Sequence, residues 1–456
     1  MKILRKISAV FAALALISSV AACNPFKSNE YSGPVVNAYD IAVKNGFNGT
    51  EEEWLKSLKG KDGDNASTVY KSLYDEACEK YGYTGDFYDF VAEFIGGYVS
   101  NGLQNSVAVA ADKAVRSAVS VYSTFSYNVY DRRGNFLRSE KYKGAGAGVI
   151  MELDDSGNAY IVTNFHVIYD KNDSDGYADS VKVYVYGREL DSLAVEASLL
   201  GATANYDIAV LKVENSEIFR TSNLAAAEIA DSNLVGAGDA IFTVGNPEAD
   251  GLAITSGIVS VDSEYIQMTS PKDGRTGIEY RVMRIDAAVN GGNSGGGLFD
   301  LNGNLVGIVN AKIVSNEIDN IAYAIPSAIV GNVFKNIKKN CNGSDKLTIG
   351  RYLVGINLAT KNSYAYYDAV LCDTRIIHTV EVSSVEAGSA AVGKFMVGDV
   401  LKSFEYDGVT VNVERLFNLT DATLTFEKGK TVTFVIERNG IQRTVTVTLD
   451  KFTPLD

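Results

Sequence analysis

The apolar and polar positions divide the chain into regions of different period. After a basic start, Ile7 to Ala22 is one continuous apolar run. It is short for a membrane span and has the proportions of a signal-peptide core. Residues 23–36 are polar and read as a tether. Helical spacing follows in two related stretches, Ala38–Gly60 and Leu73–Gly96, with a one-residue offset between them. Tyr39 matches Tyr74, Asp40 matches Asp75, Gly46 matches Gly82, and Trp54 matches Phe90. Each copy predicts a helix, a glycine-aromatic turn and a second helix capped by Thr50 or Asp86, so residues 37–97 are expected to hold two helical hairpins. From about Asn105 a helix leads into a strand, and the period then falls to two. Many short apolar runs broken by Gly, Asn and Asp extend to about Ile337, the pattern of an antiparallel barrel or sandwich. A polar linker, Asn340–Leu347, separates these from a smaller strand-rich segment that begins near Thr348.

Composition adds little to that division. The chain has 456 residues, 46% hydrophobic and 21% charged, enough for two or three domains. A net charge of −14 with no long basic run argues against nucleic acid as a partner. At the N-terminus, Lys2, Arg5 and Lys6 precede the apolar run, and Val20-Ala21-Ala22-Cys23 resembles a lipobox. Residues 1–22 are therefore expected to be a lipoprotein signal peptide, with Cys23 the lipidated residue and the protein anchored on the extracytoplasmic side of a bacterial cell envelope. The other cysteines are Cys78, Cys341 and Cys372, an odd set with no complete disulfide framework. No His/Cys cluster has metal-ligand spacing, so neither metal nor cofactor is expected.

The chemistry centres on Val289–Asp300, "VNGGNSGGGLFD". A serine hydroxyl becomes a nucleophile only with a base in reach and a third group to orient that base. The chain holds two histidines, His166 and His378. His166 lies just beyond the apolar strand at Tyr160–Thr163, and Asp207 opens the apolar run "DIAVLKV". With Ser294 this gives the order His, Asp, Ser, which is that of chymotrypsin-type enzymes. Gly292–Gly296 also satisfies G-x-S-x-G, but an α/β-hydrolase elbow requires a helix after the serine. Here three glycines lead into two apolar runs around Asn302-Gly303, a hairpin signal. His378, in "TRIIHTVEV", reads as a surface strand residue.

The blocks "GAGAGVI", "TNFHVI", "YDIAVLKV", "TVGNPEADGLAITSGIVS", "IDAAVNGGNSGGGLFDLNGNLVGI" and "IAYAIP" resemble the HtrA (Deg) serine proteases. The resemblance implies a mainly β protein: a chymotrypsin-like double antiparallel β-barrel over 105–338, followed by a PDZ domain over 348–453 and preceded by the small helical repeat region. It implies a nucleophile at Ser294, a base at His166 and an orienting acid at Asp207. Gly292, Asn293 and Ser294 would form the oxyanion loop, with the N–H groups of Gly292 and Ser294 as donors. The family usually carries proline where Gly291 and Gly297 stand, so this loop is expected to be less rigid. Ala288, six residues before the nucleophile, would leave the primary pocket without an acid, favouring small or aliphatic side chains, and the strand around Asn310-Ala311-Lys312 is expected to line that pocket. In the last segment Tyr352, Leu353, Val354, Gly355 and Ile356 correspond to the loop that binds a C-terminal carboxylate in PDZ domains. The aromatic stretch Thr360–Arg375 is an insertion relative to that fold. The implied partners are unfolded proteins or peptides, C-termini at the PDZ domain, the membrane through the lipid anchor, and two further copies in a homotrimer. A reading from another class is a surface scaffold or holdase that keeps a dormant protease core.

Overall fold

The computed structural model describes residues 107–455, except 174–175, 189, 271, 273, 311–320, 342–348 and 369–372. The signal segment, Cys23, the tether and both helical repeats lie outside the described residues. Tyr98–Asp456 forms one compact unit.

Helix α1 (Val107–Val115) leads into β1 (Ala118–Tyr130). There follow β2 (Phe136–Leu153), β3 (Ala159–Thr163), the one-turn helix α2 (Phe165–Ile168), β4 (Ser180–Val185), β5 (Val195–Thr203) and β6 (Ile208–Val213). These strands close a barrel in the order β1-β2-β3-β6-β5-β4. After the short helix α3 (Glu217–Thr221), six more strands form a second barrel: β7 (Ala240–Gly245), β8 (Ala253–Met268), β9 (Ile278–Ile285), β10 (Gly297–Asp300), β11 (Leu305–Asn310) and β12 (Ala322–Pro326). Its order is β10-β11-β12-β9-β8-β7. Closure removes the exposed strand edges that an open sheet would leave.

Several strands are apolar on both faces because both are buried. In β6, Ala209 and Leu211 point into the first barrel, while Ile208 and Val210 belong to a layer between the barrels. In β11, Val306 and Val309 fill the second barrel, and Leu305 and Ile308 join the same middle layer. Phe242 and Phe299 stack there with ring centroids 5.6 Å apart. In β6 a period of two thus feeds two cores from one strand; in β11 a register shift opposite Leu298 and Phe299 moves the alternation by one residue, and burial on both faces is why these runs show little polar alternation. The hairpin expected at Asn302-Gly303 joins β10 to β11.

Helix α4 (Ser327–Asn340) ends this part, two residues beyond the boundary expected at 338. It buries Ile329, Val330, Val333, Phe334 and Ile337, the stripe of an amphipathic helix, and its last turn carries Lys338 and Lys339 against the helix dipole. Cys341 just after it is a free, buried thiol, and Cys372 lies outside the described residues.

The C-terminal segment holds β13 (Gly350–Leu353), β14 (Ile356–Asp368), β15 (Asp373–Val385), β16 (Val400–Tyr406), β17 (Val409–Asn412), α5 (Phe417–Ala422), β18 (Thr431–Arg438), β19 (Ile441–Thr448) and β20 (Lys451–Pro454). The main sheet runs β14-β15-β16-β18-β19, with β17 on β16, so β14 is an edge. Its core is Val380, Val382, Leu401, Phe404, Phe434, Ile436 and Val447. The aromatic insertion extends the β14–β15 hairpin and leaves Tyr364, Tyr366 and Tyr367 exposed. His378 lies on β15, half-buried, and burial beside the Arg415 guanidinium lowers its pKa against the opposing pull of Asp262.

Asp399, in the turn before β16, is buried and accepts from Arg438 through both oxygens at 2.6 Å and from the Met396 N–H at 2.9 Å. Burial alone would raise its carboxyl; the Arg438 bonds and charge outweigh that and hold it below the ordinary carboxylate range. A depressed carboxylate contributes stability above its unfolded pKa, near 4, and loses it as pH falls through the folded value. Asp399→Asn is therefore expected to cost roughly 2–3 kcal/mol at pH 7. Urea unfolding of the variant and the wild type at pH 7 and pH 3 should show that gap closing in acid.

Candidate active site

Three loops converge on the cleft between the barrels, and strand register decides why. β3 and β6 are antiparallel neighbours with Thr163 opposite Ala209. Residues just past the end of β3 therefore lie beside residues just before β6, which places His166 next to Asp207. Ser294 comes from the second barrel but is tied to the first: its carbonyl accepts from the Ala147 N–H on β2 at 2.8 Å.

The imidazole of His166 bridges the other two side chains. Nδ1 is 2.7 Å from Asp207 Oδ2, and Nε2 is 2.8 Å from Ser294 Oγ. A carboxylate accepts only, so Nδ1 carries the proton and Nε2 is left to accept from the hydroxyl. Asp207 is fully buried, and each carboxylate oxygen has a donor. Oδ1 takes the His166 N–H at 3.0 Å; Oδ2 takes Nδ1 and the Asn310 amide at 2.8 Å. A buried charge needs such partners to offset lost hydration. Asp207 also adopts φ +51°, a left-handed conformation uncommon for a residue with a Cβ, and its carbonyl accepts from the Asn164 amide at 2.9 Å. The fold thus fixes the acid at its side chain and its backbone.

The loop before Ser294 is a tight turn in which the Asn293 N–H donates to the Asn290 carbonyl at 3.1 Å. Gly292 has φ +95°, the left-handed value required at the third position of a type II turn. The Gly291 carbonyl accepts from the Glu248 N–H at 2.8 Å. In a trans peptide, C=O and N–H point opposite ways, so anchoring that carbonyl turns the Gly292 N–H to the other side of the peptide plane. Asn293, expected within the oxyanion loop between the two donors, uses its N–H to close the turn.

Of the strand around Asn310-Ala311-Lys312, expected to line the primary pocket, Ala311 and Lys312 lie outside the described residues. Asn310 itself is wholly buried, donating to Asp207 Oδ2 and, at 2.8 Å, to the Tyr280 hydroxyl. Ala288 is exposed, with its carbonyl held by Thr255 Oγ1 at 2.8 Å. The contributions of Asn164, Glu248 and Tyr280 went unforeseen. The one signal for Asn310 was a polar residue ending the apolar run "LVGIVN", where burial on both faces leaves it no route to water. No group of His, Cys, Asp and Glu suited to a metal ion occurs among the described residues.

The residues Tyr352 to Ile356 span the end of β13 and the start of β14. Val354 is buried, and Gly355 has φ +88° with its carbonyl accepting from the Glu386 N–H at 2.9 Å.

Residues 146–308 match the family model of the trypsin-like peptidase domain. The chain is 31% identical over 320 residues to the serine protease Do-like HtrA of Bacillus subtilis, an alignment covering 68% of this chain and 64% of that protein. It thus spans slightly less than two thirds of the Bacillus protein. The HtrA of Lactococcus lactis subsp. cremoris is 28% identical over 78% of this chain and 85% of its own. The periplasmic serine endoprotease DegP of Salmonella typhimurium is 35% identical over 44% of this chain and 37% of its own. With a trypsin-like peptidase domain, a double barrel and relatives of this kind, the chain belongs to the HtrA family of serine proteases.

Proposed function

We propose that the protein is a serine endopeptidase that cleaves unfolded or misassembled proteins of a bacterial cell envelope, held there by a lipid on Cys23. The observation that carries the reading is the imidazole of His166 within hydrogen-bond distance of both a buried carboxylate and the hydroxyl of Ser294.

Ser294 Oγ attacks the carbonyl carbon of the scissile peptide as its proton passes to His166 Nε2. The carbonyl oxygen becomes an oxyanion facing the Gly292 and Ser294 N–H groups. Asp207 holds the tautomer and stabilises the imidazolium. Collapse of the intermediate breaks the C–N bond, His166 returns the proton to the leaving amine, and an acyl-serine remains. Water attacks that ester, giving its proton to His166 and then to Ser294 Oγ as the acid departs. No cofactor enters these steps. Ala288 favours small or aliphatic side chains before the cut.

The C-terminal segment supports a PDZ role. The loop Tyr352–Ile356 heads the edge strand β14, where an extended peptide could add as a further strand and place its carboxylate at the loop's N–H groups. Envelope location accords with relatives named as periplasmic serine proteases; action on unfolded chains and assembly as a trimer are parts of the same proposal.

Digestion of reduced casein by the purified chain tests the reading. Internal cuts after small or aliphatic residues are expected, with a compact protein of similar composition left intact. Casein recovered whole would favour the scaffold or holdase reading.

A further inference from the structure

The acid of the triad is braced from a part of the chain far from the cleft. Tyr280 and Arg281 are neighbours on β9, so their side chains leave opposite faces of the strand. The Tyr280 hydroxyl accepts one hydrogen of the Asn310 amide at 2.8 Å, and the other hydrogen goes to Asp207 Oδ2. The tyrosine in turn donates to Met268 Sδ at 3.0 Å. Arg281 is the largest fully buried side chain among the described residues. Its guanidinium lies 2.7 Å from Asp421 Oδ2 on α5, donates to Asn233 Oδ1 at 3.1 Å, and stacks on the Phe417 ring at 3.8 Å. Close by, Arg415 meets Asp262 of β8 at 2.6 Å. Each side of this contact therefore supplies one arginine and one aspartate around a shared phenylalanine. A second link runs from Arg351 on β13 to the Tyr206 hydroxyl at 3.2 Å, and Tyr206 immediately precedes Asp207.

Such a junction costs desolvation and returns a defined geometry. An apolar contact could slide; paired charges with fixed partners cannot without exposing one of them. We propose that the C-terminal segment holds the catalytic acid in place, with Asp421 acting through Arg281, Tyr280 and Asn310, and Arg351 acting through Tyr206, as positioning residues for Asp207. This rests on the hydrolytic reading above. It makes the C-terminal segment a working part of the active site.

The test uses the full chain and a fluorogenic peptide, with active sites titrated by a fluorophosphonate. Tyr280→Phe removes the hydroxyl that accepts from Asn310 and keeps the ring, so its melting temperature should stay near that of the wild type. Turnover per titrated site should fall about tenfold with KM within about twofold, the pattern of a displaced catalytic group. Asp421→Asn should fall similarly, and the double variant should be no worse than the poorer single, because both act on Asp207 through the same stretch of β9. If Asp421→Asn does not fold, Tyr206→Phe, which removes the hydroxyl that accepts from Arg351, takes its place as the probe of the C-terminal segment. Tyr280→Phe at the wild-type rate per site, or independent multiplying effects in the double variant, would overturn the inference while the labelled wild type upholds the hydrolytic reading. A wild-type chain that takes no label would overturn both.

Discussion

Ser294→Ala is expected to lower turnover of an unfolded protein substrate by roughly 10⁶-fold, the scale on which removal of a triad nucleophile acts. The hydroxyl is the only atom lost. Ser294 is buried, and its backbone is fixed independently through the Ala147 N–H. The variant should therefore fold, keep its melting temperature, and still bind substrate. Residual hydrolysis would come from the oxyanion groups and from binding alone, which is why the loss is finite. Initial rates on labelled casein at matched enzyme concentration measure it. A loss of less than about a hundredfold with an unchanged fold would mean that the serine is not the attacking group, since even a single oxyanion donor is worth that much.

Gly292→Ala is the second large effect. The residue occupies φ +95°, and a Cβ there would stand 2.0 Å from the Asn246 carbonyl oxygen. Both the conformation and the space exclude a side chain. The turn can relieve the clash only by rotating the peptide between residues 291 and 292, which breaks the bond from the Glu248 N–H to the Gly291 carbonyl and swings the Gly292 N–H away from the oxyanion position. Loss of one such donor costs roughly 10²–10³ in kcat. The His166–Ser294 contact does not involve that peptide, so KM should change little. Gly291 gives a contrast within the same turn: a Cβ there meets nothing within 4 Å. Gly291→Ala should leave kcat near that of the wild type. Comparable losses in both variants would show that general loosening of the loop, and not the direction of one N–H, sets the rate.

Much of the site was legible in the sequence because its parts lie at strand ends. An apolar run that stops at Thr163 and another that starts at Ile208 locate His166 and Asp207, and the glycine-flanked Ser294 followed by a hairpin signal excludes the elbow of an α/β-hydrolase. The groups that hold the triad were not legible. Asn310 and Tyr280 sit inside apolar strands, where a period of two says that a side chain is buried but not which of two cores it enters. The bond from the Asn310 amide to the acid was therefore not foreseen. The Glu248 N–H acts through its backbone, which side-chain patterns do not report. The junction built from Arg281, Asp421, Arg415 and Asp262 was equally hidden, since its partners lie far apart in sequence and each looks like an ordinary surface charge. The turn at Gly291 and Gly292 is held by bonds from residues outside it as well as within, and these too leave no trace in side-chain patterns.

The most direct measurement is covalent. The full chain and its His166→Ala variant are treated with a fluorophosphonate and digested, and the modified residue is located by peptide mass spectrometry. One adduct, on Ser294, that disappears when the imidazole is removed is the predicted result. No adduct on Ser294, or an adduct that forms as quickly without His166, would contradict the assignment of these residues to peptide-bond hydrolysis.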